Sequence, residues 1–175
     1  VTVRRVGRPA PPEEAEPDAP SRPALRLLYT TDLHGYFGPC ECVPGQLGGL
    51  ARIATILDGL RGEADASLLL DGGGAVDRPE KHALLAEALG TLGLQASGLA
   101  RADLAPERAA WREALAGRGV KLASLGGGEG VARRLDLPAA GGTVHVISLP
   151  EVDAPEEAAA LARAVRAEPA AARVA

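Results

Sequence analysis

No residue of the 175 is a methionine or an asparagine, and aromatic side chains make up only 2% of the chain. The missing initiator fits a processed product, a fragment or a start codon written as valine. Scarce aromatics exclude a core of stacked rings, so the 46% apolar content must build its core from Leu, Ala, Val and Ile. Two cysteines occur, Cys40 and Cys42. They are too close for a comfortable loop-closing disulfide and say little about compartment. There is no long basic run and the net charge is −4, so the electrostatic footprint of a nucleic-acid partner is lacking. No segment approaches the ~20 apolar residues that span a bilayer, and no charged-then-apolar leader opens the chain.

The first 24 residues are rich in Pro, Glu and Ala without an apolar period, which predicts a solvated linker over 1–24 and a domain over 25–175. Beyond the linker, apolar runs alternate with helical periods. Strands are expected at about 25–30, 67–70, 95–99, 120–125 and 143–149, with helices at about 49–61, 80–91, 106–116 and 155–167. In the second of these helices Leu84, Leu85, Ala88 and Leu89 are expected to form the inner stripe. This order predicts an α/β fold: a mostly parallel layered sheet with helices on both faces, the run at 25–30 central and paired beside 67–70. No internal repeat is visible.

The run LRLLYTTDLHG at 25–35 stops at Asp32 and sets His34 on the turn leaving the strand. A carboxylate and an imidazole at the C-terminal end of a buried strand lie where open α/β sheets collect ligands, and Asp-X-His there is a usual beginning of a metal site. The structural alternative is an Asp capping the next turn and a His bonded to a carbonyl. Gly72–Gly74 and Gly126–Gly128 lack the Lys-Ser/Thr ending of a phosphate loop and read as permissive turns. Cys40-Glu41-Cys42 reads either as two partly buried thiols or as a soft-metal or redox site. His145 stands alone in an apolar alternation, as a strand residue does.

The stretches LLYTTDLHGYF, GGLARIATIL and LLLDGGG resemble the opening of the metallophosphoesterase (calcineurin-like) domain of the 5'-nucleotidase family, over roughly residues 25–150 and most closely over 25–74. The resemblance implies a layered α/β phosphoesterase fold, a two-metal site and a small phosphate ester as substrate. It transfers one ligand pair cleanly, Asp32 and His34. In the second motif Asp71 matches a leading Asp that does not bridge the metals, and Gly74 occupies the bridging position, so Asp71 is only a doubtful ligand. Where the family has Gly-Asn-His-Glu, this chain has Ala100-Arg101-Ala102-Asp103. No Gly-His-X-His pair occurs up to Ala175, which fits either loss or a chain cut short.

These residues together predict an incomplete two-metal site that takes at most one divalent ion, Mn, Zn or similar, with weak or no phosphoester hydrolysis. The alternatives are a phosphomonoester or nucleotide hydrolase working with a reduced site, and a soft-metal or redox module at Cys40 and Cys42. The resemblance and the N-terminal linker together favour an extracytoplasmic location.

Overall fold

The computed structural model describes residues 25–39, 48–75, 78–139, 142–149 and 155–167. Four strands, β1 (Leu25–Thr30), β2 (Ala66–Asp71), β3 (Leu94–Gly98) and β4 (Lys121–Ala123), form a sheet in the order β1-β2-β3-β4, and every pairing is parallel. Helices α1 (Leu50–Arg61), α2 (His82–Thr91) and α3 (Ala109–Ala116) are the crossovers. A β5–β6 hairpin (Leu135–Ala139 and Gly142–Val146) and helix α4 (Pro155–Ala167) follow.

Period-2 alternation sorts the strand side chains between two cores. Leu28, Leu69, Leu94 and Leu122 meet Leu57, Leu85, Leu89, Trp111 and Leu115, so the three crossover helices share one face. Leu68, Ala96 and Ala123 point to the opposite face, where Leu135 and Leu137 of the hairpin cover them. The layered α/β architecture expected from the sequence is therefore present, and part of the second face is covered by a hairpin. The hairpin leaves Leu27 and Tyr29 of β1 exposed.

Two expectations need correction. Each crossover steps the chain in the same direction across the sheet, so β1 pairs with β2 as expected but lies at the edge of the described sheet, and β2 and β3 hold the centre. In α2, Leu84 faces solvent, while His82, Leu85, Ala86 and Leu89 are the buried residues. Strand β5 has no counterpart in the sequence reading, because Pro138 interrupts its apolar alternation. Pro138 is opposite Thr143 in an antiparallel pair, a setting that tolerates a residue without an amide hydrogen. Residues 1–24 lie outside the described residues.

Helix α1 begins without a side-chain cap, and glycine makes its entry possible. Gly49 has φ 87°, and a Cβ there would stand 2.9 Å from the Pro39 nitrogen. The close approach lets Leu50 N donate to Phe37 O at 3.0 Å, which ties the helix to the loop leaving β1.

The core assignment predicts opposite outcomes for neighbouring leucines. Leu85 is fully buried and Leu84 is 59% exposed. Leu85→Ala should cost about 2–5 kcal/mol in urea unfolding, whereas Leu84→Ala should cost less than about 0.5 kcal/mol.

Candidate functional site at the carboxyl edge of the sheet

Backbone hydrogen bonds between the β1 and β2 loops continue past the strand ends. Gly72 N donates to Thr30 O at 2.8 Å, Asp32 N to Gly73 O at 3.0 Å, His34 N to Gly74 O at 3.1 Å and Gly35 N to Ala75 O at 2.8 Å. The turn adopts left-handed backbone at two non-glycine residues, Asp32 (φ 53°) and His34 (φ 47°). Such conformations persist where surrounding bonds over-determine them, and they concentrate at functional sites. Leu33 between them packs on the helix-side core, and Asp32 and His34 are exposed. Lys81 closes the far side: its Nζ donates to Gly35 O at 3.0 Å and lies 5.8 Å from the centre of the Tyr36 ring.

Two buried carboxylates support these loops from beneath. Asp71 Oδ1 accepts from Thr30 Oγ1 at 3.0 Å, and its Oδ2 accepts from Gly73 N and Ser97 Oγ, both at 3.0 Å. Burial pushes the Asp71 pKa up from 3.8 to about 6; the bonds from Gly73, Ser97 and Thr30 oppose the rise and the Asp103 charge adds to it. Asp103 Oδ2 accepts from Gly74 N and Ala100 N, each at 3.0 Å, so one carboxylate oxygen ties the loop after β2 to the loop after β3. Arg112 Nη1 holds the Asp103 carbonyl at 2.7 Å and the Ala105 carbonyl at 2.9 Å.

The Gly73 and Gly74 amides are thus consumed by the protein's own carboxylates, and this loop does not present them to a phosphate. Gly73 (φ 100°) has no room for a side chain, since a Cβ would stand 2.7 Å from Ala100 N. Gly74 (φ 66°) differs in what it faces: a Cβ there would lie 2.6 Å from Asp32 Oδ1. A side chain at 74 would therefore point at the Asp32 carboxylate.

Of the residues singled out in the sequence, Asp32 and His34 both lie exposed in the loop leaving β1. Asp71 lies beneath it with both oxygens engaged. Cys40 and Cys42 lie outside the described residues. His145 is remote on the hairpin, its Nδ1 2.7 Å from Asp136 Oδ1; this bond, with help from Arg134, holds the Asp136 pKa below its usual value. His82 is buried, its ring centre 5.9 Å from that of Trp111 and its Nε2 3.2 Å from Arg108 Nη1. Burial and the Arg108 charge lower its pKa, which favours the neutral ring as acceptor. Among the described residues, no group of three or more His, Cys, Asp or Glu is arranged to hold a metal ion. Asp103 is the site residue that the sequence reading treated only as a mismatch. Its one signal is an acidic residue in a short 3-10 turn just after a strand end.

No known protein-family profile matches the chain, and no curated protein matches it by sequence. Solved structures do share its fold. A 5'-nucleotidase precursor from Thermus thermophilus is 24% identical with a TM-score of 0.59, over 72% of this chain and 28% of that one. The NAD nucleotidase of Haemophilus influenzae is 18% identical with a TM-score of 0.58, over 74% of this chain and 26% of that one. The chain thus matches about a quarter of the length of each, with a nucleotidase-like fold.

Asp71 gives the site a pH signature. Its folded pKa, about 6, lies above the ordinary 3.8, so the folded chain holds this proton more tightly. That contribution is fully present below about pH 3.8 and is lost as pH rises through about 6. Asp71→Asn removes the titration while keeping an acceptor for Gly73 N and Ser97. In urea melts, the variant should gain about 2 kcal/mol relative to the parent between about pH 4 and about pH 8. A constant difference across that range would mean that Asp71 ionises normally.

Proposed function

We propose that this chain is a 5'-nucleotidase-like metallophosphoesterase domain with an incomplete metal site, formed by residues 25–175 after a linker at 1–24. Asp32 and His34 hold at most one divalent ion, and hydrolysis of small phosphate esters is at or near background. The observation carrying this reading is the missing side chain at position 74. The backbone there aims a side chain at Asp32, yet the residue is glycine, and Asp71 and the Oδ2 of Asp103 accept loop amides.

The donors fit one loosely held ion. A carboxylate and an imidazole suit Mn or Zn, and two protein donors leave most of the coordination sphere to water. A divalent ion bound there supplies Lewis-acid charge for a phosphoryl oxygen. The protein's own part is to fix the two donors through the Asp32–Gly73 and His34–Gly74 backbone bonds. At 100–103 the exposed cation is Arg101, and a guanidinium does not deliver a proton to a leaving group near neutral pH.

A reduced-site hydrolase of phosphomonoesters or nucleotides is the second reading, favoured by the strained, exposed Asp32–His34 turn. The soft-metal or redox reading of Cys40 and Cys42 draws no support from the described residues. An extracytoplasmic location rests on the resemblance and the linker composition. Among the described residues, no helix is long and apolar enough to cross a membrane.

Hydrolysis of p-nitrophenyl phosphate and of AMP, with added Mn²⁺ or Zn²⁺, should be near background. Clear turnover that disappears in Asp32→Ala would establish the reduced-site enzyme instead, and turnover that survives Asp32→Ala would mark a contaminant. Gly74→Asp tests the missing side chain by gain. Asp tolerates left-handed backbone better than most residues, and the exposed Asp32 side chain can move aside. Calorimetry should show Mn²⁺ affinity rising roughly tenfold or more, the scale on which groups around a metal act. An unchanged affinity in a folded variant would contradict the assignment of position 74.

A further inference from the structure

Helix α3 buries Trp111 and Leu115 in the core, and its residues Ala109, Arg112, Glu113 and Ala116, at helical spacing, line a cavity of about 280 Å³. Leu122 of β4 and Glu129 of the loop after it line the other side. Glu129 stands in a tight turn: Val131 N donates to Gly128 O at 3.1 Å, and Gly130 supplies a positive φ, 69°, at the third residue, where glycine is favoured. The glycine-rich loop thus presents a carboxylate here. Arg112 is partly buried and its orientation is fixed, because both hydrogens of Nη1 go to the carbonyls of Asp103 and Ala105. That leaves Nε and the adjacent Nη2, whose hydrogens point the same way and form the fork that grips a carboxylate with two parallel bonds. Among the described residues this fork has no partner, and neither Glu113 nor Glu129 is paired with a cation, although all three line one cavity. Holding two carbonyls accounts for Nη1 alone.

We propose that this cavity binds a small molecule carrying one carboxylate and two cationic groups, the charge pattern of a free basic amino acid. The Arg112 fork takes the carboxylate, Glu113 and Glu129 take the α-ammonium and the side-chain cation, and the methylene stem lies along Ala116 and Leu122. Charge decides the class. One guanidinium against two carboxylates leaves negative charge in excess, so a phosphate meets repulsion, whereas a plain diamine leaves the fork unanswered. Lysine or arginine answers all three groups. The volume agrees, since the cavity is at the small end of ligand pockets.

The test uses the full chain in chelator at constant ionic strength, followed by calorimetry and amide NMR shifts. L-lysine and L-arginine should bind, with shifts at 109–116 and 122–131. Cadaverine, which lacks the carboxylate, and inorganic phosphate should bind roughly tenfold or more weakly. Glu113→Gln and Glu129→Gln each remove the partner of one cation and should weaken L-lysine roughly threefold or more. Both side chains are exposed, so the melting temperature should not change. Arg112→Lys keeps the charge without the fork and should cost roughly tenfold. Should that variant fail to fold, the two glutamine variants decide, because they leave the carbonyl bonds of Arg112 intact. Absence of binding by both amino acids would overturn the proposal. So would cadaverine or phosphate binding as tightly as L-lysine, a folded Arg112→Lys with unchanged affinity, or glutamine variants that bind like the parent.

Discussion

The contact on which the edge of this molecule depends is a single oxygen. Asp103 Oδ2 accepts the Gly74 and Ala100 amides, and Asp71 repeats the device one residue earlier by accepting Gly73 N. Buried carboxylates are costly unless hydrogen-bonded, and here each accepts loop amides that would otherwise be unsatisfied, which at Asp71 offsets its burial only in part. With the loop after β2 fixed in this way, its carbonyls at 73 and 74 become the acceptors that hold Asp32 and His34 in left-handed backbone. Exposed donors at the surface thus rest on satisfied acids beneath.

That arrangement has a chemical consequence. Asp71 and the Oδ2 of Asp103 are engaged with loop amides, and position 74, whose backbone addresses Asp32, carries no side chain. The edge therefore belongs to a nucleotidase-like fold whose acids here serve the fold. Arg101, in the turn after β3, is ion-paired with Glu157 of helix α4.

Much of the fold was legible because its signals are local. The apolar runs at 25–30 and 67–70, the helical period between them and the punctuating glycines identify β1, α1 and β2 and locate the ligand edge. Strand order is not a local property, so nothing in 25–30 marks β1 as an edge strand. Pro138 concealed β5 by breaking its alternation, and the exposure of Leu84 was lost in a helix with apolar residues on several sides. At the site, Asp32 and His34 could be read from their spacing after a strand. Asp103 could not, since its role consists of two long-range bonds to backbone amides, which leave no pattern in the chain.

The central claim is that the acids beneath this edge are committed to the fold and leave two exposed donors. The most direct measurement is anomalous diffraction from crystals soaked in Mn²⁺. The account predicts at most one peak, beside Asp32 and His34, with the Gly73 and Gly74 amides still bonded to Asp71 and Asp103. Two fully occupied peaks about 3.5–4 Å apart, with Asp71 or Asp103 turned outward to coordinate them, would contradict it.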